Sequence, residues 1–455
     1  MFALEDSPPV IRPWPQILHH LVTGTNLLLP LRDLQRSIGD SYVLDLGLSK
    51  LWVVTLPEHA RRVLQGNACN YRKGDQFETP LRAAIRGSSS VNDATRWMDL
   101  RATVQPYLQK NRLMNLSDLV ETAWLSLEEE IADKTSRGAL INLSLLMECA
   151  SVSIACQKLG LAAPTYGELV AYTGAVKTLM STNSPLLWTA HLFPQLLSLG
   201  APERRRAAQQ VKHIVTRWIE ERLRKDCAHD DFFNALVRAM RESQAPKPTH
   251  RTGLIDLLYD ELFQILVAAH ETVSAGLAWT THLLREHPDV QERVLHALVG
   301  HGIEGKEPTP DYLEAVIKES LRLYPPAWRI TRRAIDDDVV GELDIPAGSP
   351  VMIFVFGVHR HPDLWNDADA FVPERFLGVT RQDLGWKWLA FGGGPRSCIG
   401  GDMAVAEMKL SLTWLLQRYD IVPVATLHRE PRVSLAVTLR PREPQRVYLY
   451  KRSLS

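Results

Sequence analysis

Apolar residues recur at helical spacing through most of the chain. Leu258 and Leu262 lie on one face of a segment that predicts the longest helix, from about residue 255 to residue 285. At about 1.5 Å per residue, such a helix spans roughly 45 Å, the width of a domain. The same spacing continues through residues 115–240 and 403–419. The chain is therefore expected to be mainly α-helical.

Shorter segments follow the alternating pattern of strands. Residues 42–46 and 51–55 flank a Gly-Leu-Ser-Lys turn, which predicts a β-hairpin, and Pro57 then predicts the start of a helix. Further short strands of a small sheet are predicted at residues 339–340, 351–354 and 433–439. The expected fold class is mainly α with a small β subdomain, the β-rich parts lying at about 40–60 and 335–360.

The composition is that of an ordinary globular protein. The chain has 455 residues, a length for which several domains would be usual, but no linker divides it, so we expect one domain over residues 1–455. Hydrophobic residues make up 45% of the chain, and 52 basic residues balance 52 acidic ones. Nothing in this charge balance favours a nucleic-acid partner or an anionic membrane.

The cysteines and the two ends of the sequence indicate the cellular compartment in which the protein is expected. Five scattered cysteines fit a reducing cytoplasm better than a disulfide framework, and Cys149 and Cys156 lie on an apolar helical segment as packing residues. The first residues contain neither a signal sequence nor an apolar span. A cytoplasmic protein without a membrane anchor is expected. About 35 residues follow the last predicted helix, and because a further domain needs more than that, no fused reductase is expected.

The candidate chemistry centres on one glycine-rich segment, residues 391–400, which reads Phe-Gly-Gly-Gly-Pro-Arg-Ser-Cys-Ile-Gly. Glycines let a backbone lie close to a flat ligand. Cys398 precedes a predicted helix, whose N-terminus favours a thiolate, and a thiolate is a ligand suited to iron. Phe391 can pack on the same ligand, and Arg396 offers a cation for a carboxylate. The alternative is an ordinary turn with a packing cysteine.

This segment resembles the haem-binding loop of the cytochrome P450 family, Phe-Gly-x-Gly-x-Arg-x-Cys-x-Gly, at every defined position. The resemblance implies a cytochrome P450-like fold and a haem b whose iron is ligated by the thiolate of Cys398. It also implies haem contacts for Phe391 and Arg396.

A second motif lies in the middle of the longest predicted helix. Residues 268–272, Ala-Ala-His-Glu-Thr, resemble the family's (Ala/Gly)-Gly-x-(Asp/Glu)-Thr, with Ala269 in place of the usual glycine. The resemblance implies that Thr272 holds dioxygen, that Glu271 relays protons, and that Ala268 lies against the haem. His270 is expected to face away from the haem.

Two further motifs imply structural and haem-binding roles. Glu319 and Arg322 match the family's Glu-x-x-Arg, and Arg375 in Pro-Glu-Arg-Phe would complete their ion-pair network. As local patterns, such pairs are common on solvated helices.

Trp97 and Arg101 match the family's Trp-x-x-x-Arg, which binds a haem propionate. Arg332 aligns with a further propionate-binding residue, and Arg333 competes for that role.

The substrate pocket is expected to be apolar. Its candidate wall residues are Phe77, Leu81, Ile265, Ala268, Trp328 and Val437. Residues 182–185 interrupt the helical pattern where the family has a lid over the substrate channel. A hydrophobic small molecule is therefore the expected substrate, with a fatty acid, a terpenoid or a carotenoid as the classes considered.

Together these residues predict a monooxygenase that hydroxylates a C–H bond with one oxygen atom from O2. Electrons would come from a ferredoxin or flavodoxin with a reductase and NAD(P)H, and the resemblance is to soluble, monomeric bacterial-type members. A peroxide-driven peroxygenase and a haem-thiolate sensor remain as alternatives. The Glu271–Thr272 pair argues against both, because neither a sensor nor a peroxide-driven enzyme needs to deliver protons to dioxygen.

Overall fold

The computed structural model describes residues 9–12, 28–45, 50–73, 98, 101–102, 104–108, 116–180, 202–225, 230–242, 251–299, 311–424, 432–435 and 438–452. Its helices are α1 (Leu28–Ile38), α2 (Pro57–Arg61), α3 (Leu116–Ser136), α4 (Leu143–Lys158), α5 (Tyr166–Met180), α6 (Pro202–Arg224), α7 (Phe232–Glu242), α8 (Arg251–Glu286), α9 (Pro288–Val299), α10 (Asp311–Leu323), α11 (Val355–Val358), α12 (Arg381–Leu384) and α13 (Gly401–Arg418). The fold is mainly α-helical with small sheets, as the sequence predicts.

Within the described residues, the strands form one larger sheet and three small ones. They are β1 (Val10–Ile11), β2 (Ser41–Asp45), β3 (Lys50–Val54), β4 (Tyr71–Lys73), β5 (Ile141–Asn142), β6 (Ile330–Ala334), β7 (Asp338–Val340), β8 (Leu343–Ile345), β9 (Pro350–Ile353), β10 (Tyr419–Pro423), β11 (Val433–Leu435), β12 (Leu439–Pro441) and β13 (Arg446–Lys451). The larger sheet has the order β1-β2-β3-β9-β6-β4.

Helix α8 is the long central element. It has 36 residues, which corresponds to roughly 54 Å at about 1.5 Å per residue, and it begins at Arg251, four residues before the predicted start. It packs against α4, α6, α10 and α13 and against strand β12. Leu258, Leu262 and Leu266 of this helix are buried in the main hydrophobic core of the protein. The helix thus carries its middle residues through the centre of the molecule.

The predicted hairpin is confirmed: β2 and β3 pair antiparallel, with Val43 opposite Trp52. The prediction that the later strands share one sheet is wrong. Among the described strands, β7 and β8 pair with each other in a sheet of their own, whereas β9 joins the larger sheet. The single strand predicted at residues 433–439 is wrong, because β11 and β12 are separate strands that pair antiparallel, with Leu435 opposite Leu439. Short alternating segments do not encode such pairing partners.

Within the described part of the chain, no helix is both long enough and apolar enough to cross a membrane. The predicted lid interruption at residues 182–185 lies outside the described residues.

Candidate functional site

The cysteine segment folds into a tight loop that ends where α13 begins. The Cys398 backbone N–H donates to the Phe391 carbonyl oxygen at 2.9 Å, which closes the loop over the glycines. The Phe391 ring lies close to the first residue of α13, since a Cβ added to Gly401 would be 3.2 Å from the ring. The loop therefore holds Phe391 and Cys398 together.

Two of the loop's glycines are required by its backbone. Gly392 and Gly394 have φ values of 68° and 69°, in the left-handed region that favours glycine. A Cβ on Gly394 would also lie only 1.9 Å from the carbonyl oxygen of Leu64. A larger residue at position 394 would consequently displace the loop.

The electrostatic setting of Cys398 differs from the sequence expectation. The residue keeps exposed surface, but the protein packed around the sulfur raises the pKa of the Cys398 thiol by desolvation. The Gly400 backbone N–H and the Arg101 cation oppose this shift without overcoming it. Backbone donors alone therefore do not lower the pKa of this thiol, and a directly bound metal cation would supply the missing stabilisation of the thiolate.

Basic side chains surround the loop. Arg101 donates to the Ser397 carbonyl oxygen at 2.9 Å. Burial, and to a smaller extent the charge of Arg396, lowers the pKa of Arg332 to about 10. Arg333 instead donates to the Gly348 carbonyl oxygen, and adjacent strand residues point to opposite faces. Arg332 and Arg333 therefore lie on opposite faces of β6.

The motif at residues 268–272 lies in unbroken α-helix. Ala268 is exposed, although Val267 and His270 on the same turn are buried, so α8 borders an open space at Ala268. The Thr272 hydroxyl donates to the Ala268 carbonyl oxygen at 2.8 Å. Ala269 accordingly leaves the helical path intact in this structure.

Glu271 is buried in a cluster of charged and polar groups. Its Oε2 forms an ion pair with Arg440 and accepts a hydrogen bond from the Thr438 hydroxyl at 3.3 Å. His270 is buried beside it, and its ring lies edge-on to Tyr172, with ring centroids 5.4 Å apart. Nothing in the local sequence pointed to Arg440, because only the fold brings β12 against α8.

Glu319 and Arg322 form a fully buried ion pair on α10. Arg322 donates from Nε and Nη2 to the two carboxylate oxygens at 2.6 and 2.8 Å. The Arg375 Nε atom lies 3.4 Å from Glu319 Oε1. Arg322 also donates to the carbonyl oxygens of His359 and Ala368, at 2.7 and 2.6 Å. The network therefore ties α10 to the segment that precedes the cysteine loop.

Some of the remaining candidates from the sequence lie outside the described residues, and two lie within them. Those that lie outside the described residues are Trp97, Phe77, Leu81 and Val437. Ile265 is partly buried against the main core. The sequence predicts that Trp328 lines the substrate pocket. In the structure it is only 1% exposed and packs edge-on to Phe354, so it does not line an open pocket.

These features fit a haem. The loop has a cysteine at its end and glycines where a Cβ would collide, α8 is open at Ala268, and Arg101, Arg332 and Arg396 supply cations suited to propionates. Within the described residues, no group of three or more His, Cys, Asp and Glu side chains is arranged to hold a metal ion. A single cysteine ligand to a haem iron does not require such a group.

The cytochrome P450 family model matches residues 8–447 of the sequence. The chain belongs to the cytochrome P450 family. Members of this family are haem-thiolate proteins with a cysteine-ligated iron. The haem domain of cytochrome P450DA superposes with a TM-score of 0.75, covering 99% of this chain and 98% of that one at 20% sequence identity. That similarity shows the cytochrome P450 fold.

Curated relatives of this cytochrome P450 come from different kingdoms. Cyclooctat-9-en-7-ol 5-monooxygenase of Streptomyces melanosporofaciens is 35% identical over 48% of this chain and 48% of its own length. Mouse thromboxane-A synthase is 37% identical over 38% of this chain and 34% of its own length. The matches thus span about half or less of these two relatives. The Arabidopsis thaliana protein LUTEIN DEFICIENT 5, chloroplastic, is 27% identical over 92% of this chain and 75% of its own.

Proposed function

We propose that this cytochrome P450 is a monooxygenase that inserts one oxygen atom from O2 into a C–H bond of a hydrophobic small molecule. The observation that carries the proposal is that a buried acid, Glu271, directly precedes Thr272 in α8, and that the Thr272 hydroxyl bonds to Ala268, where the helix borders a space. A carboxylate is costly to bury, and this one is held by Arg440 and Thr438 one residue before Thr272 in the sequence.

In this proposal, Cys398 binds the iron, and Arg101, Arg332 and Arg396 bind the propionates. Phe391 would pack against the cofactor. When bound, the haem supplies the activation of dioxygen and the transfer of an oxygen atom.

The protein residues supply positioning and protons. The Thr272 hydroxyl now donates to the Ala268 carbonyl oxygen, and it can accept a hydrogen bond from water in the adjoining space. Glu271 is the nearest acid along the chain and is the proposed source of the protons that this water carries. Ala268 and Ile265 supply apolar wall on the same helix, which favours an apolar substrate and excludes water from it.

The relatives are compatible with such a substrate. One of them is named as a monooxygenase of cyclooctat-9-en-7-ol, an alcohol with a largely hydrocarbon skeleton. A fatty acid, a terpenoid or a carotenoid remains the proposed class for this chain. A ferredoxin or flavodoxin with its reductase and NAD(P)H is the proposed electron source. That the protein is a cytoplasmic monomer of the bacterial type stays a prediction.

The test uses the haem-loaded protein. Lipid and terpenoid compounds are first screened for binding by the change in the haem absorption spectrum. Compounds that bind are then incubated with ferredoxin, reductase, NADPH and 18O2. The proposal predicts a product with one 18O atom. A product formed only with hydrogen peroxide, or one that takes its oxygen from water, would contradict it.

A further inference from the structure

The two oxygens of the Glu271 carboxylate face partners of opposite character. Oε2 pairs with the Arg440 guanidinium and accepts from the Thr438 hydroxyl at 3.3 Å. Oε1 instead lies 3.5 Å from Nε2 of His270. Donors on Oε2 stabilise the ionised carboxylate. What the contact at Oε1 stabilises depends on which nitrogen of His270 carries the proton.

The hydrogen bonds of His270 settle that question. Nδ1 lies 2.7 Å from the Leu266 carbonyl oxygen, which can only accept, so Nδ1 carries a proton. Burial lowers the pKa of His270 to about 4, which leaves the ring neutral at pH 7. Nε2 is then an acceptor that faces another acceptor. A hydrogen bond forms between Oε1 and Nε2 only when Glu271 is protonated.

The groups around this pair come from three other elements. Arg440 Nη1 lies 3.9 Å from Glu148 Oε1 on α4, and Lys177 on α5 pairs with Glu148 at 2.7 Å. Tyr172 packs on the His270 ring, and burial raises the pKa of both Tyr172 and the nearby Cys149 thiol, so these two remain neutral. The negative charges of the Glu148 and Glu271 carboxylates are thus matched by the positive charges of Lys177 and Arg440. The Lys177 side chain is 40% exposed and carries the network to solvent.

We propose that His270 and Arg440 are positioning residues that allow Glu271 to take up and release one proton at Oε1 while Oε2 keeps its partners. A proton from water binds Oε1 and is donated in a hydrogen bond to the lone pair of His270 Nε2, while Oε2 keeps Arg440 and Thr438. On release, the proton passes from Oε1 to the water that the Thr272 hydroxyl is proposed to bind. Arg440 favours the ionised form, and His270 favours the protonated form. The role of this proton rests on the proposed function.

Infrared spectroscopy of the resting, haem-loaded protein tests this directly. The carboxyl stretching band of Glu271 is assigned by its loss in Glu271→Gln and is followed as a function of pH. Arg440→Gln should raise the midpoint of this titration by about one pH unit or more, because a cation next to a carboxylate has an effect of about that size. His270→Phe should lower the midpoint, and His270→Gln, whose side-chain oxygen can accept, should restore part of the change.

Opposite shifts in Arg440→Gln and His270→Phe support the proposal. Shifts in the same direction, or an unchanged midpoint in either variant, would overturn it. If Arg440→Gln does not fold, Thr438→Val removes a donor from the same oxygen and should shift the midpoint upward as well. Because the titration needs neither O2 nor substrate, its outcome is independent of whether the chain is a monooxygenase.

Discussion

The Leu389 backbone N–H donates a hydrogen bond of 2.7 Å to Nε2 of His359. The other ring nitrogen of His359, Nδ1, lies 3.0 Å from the Arg322 carbonyl oxygen and must donate to it. One buried, neutral imidazole therefore joins the end of α10 to the residue two positions before the cysteine loop. It extends the Glu319–Arg322 network to the proposed haem site.

This arrangement predicts a loss of stability in acid. Burial and the Arg322 cation lower the pKa of His359 to about 3, whereas the unfolded chain has the ordinary value of 6.5. Between these two values the unfolded state binds a proton that the folded state does not, so stability should fall as the pH falls from about 6.5 towards 3. His270 and His282, both with a pKa lowered to about 4, act in the same direction.

The check is urea unfolding as a function of pH for the wild-type protein and His359→Gln. The variant should be less stable at neutral pH, but its stability should depend less steeply on pH, by up to one proton, in that range. An identical slope in the two proteins would show that His359 does not titrate with folding.

The ion pair on α10 should be important for stability. Glu319→Ala leaves Arg322 buried without its carboxylate, and Arg322→Ala does the reverse, so each should cost about 3–5 kcal/mol of unfolding free energy and reduce haem content. Glu314→Ala is a matched control on the same helix, because Glu314 makes a partly exposed pair with Lys318. It should cost less than about 1 kcal/mol. Equal effects at positions 319 and 314 would contradict the assignment.

The two neighbouring arginines of β6 should differ in haem binding. Arg332→Gln should speed the transfer of haem to an acceptor protein by about tenfold or more, since a charge-assisted hydrogen bond contributes about 1.5–3 kcal/mol. Arg333→Gln also removes one positive charge from β6, but Arg333 donates to the Gly348 carbonyl oxygen, so this change should leave the rate of haem transfer unchanged. The reverse result would assign the propionate to Arg333.

Proton delivery should depend on the Thr272 hydroxyl. Thr272→Ala should bind substrate with similar affinity but release more hydrogen peroxide and form less product per NAD(P)H consumed. Thr280→Ala is the matched control, because Thr280 donates to the carbonyl oxygen four residues earlier on the same helix, at 2.8 Å. Coupling that drops equally in both variants would point to a change in the helix and not to the proposed role.

The elements of the fold that depend on local sequence pattern could be predicted from the sequence. The helical period located α8 and α13 to within a few residues, and the loop glycines are needed for backbone reasons that are visible in the sequence. The buried partners of Glu271 and the His359 contact arise from segments far apart in the chain. Arg440 belongs to a short strand whose pairing no local pattern determined.

The most direct test of the central claim, that Cys398 is the thiolate ligand of the haem iron, is the spectrum of the reduced carbon monoxide complex. The wild-type protein should show the red-shifted Soret band of a thiolate-ligated haem, and Cys398→Ser should lose it. Cys69→Ser, which removes an exposed cysteine elsewhere, should keep the band. Retention of the band in Cys398→Ser would contradict the account, because another cysteine would then hold the iron.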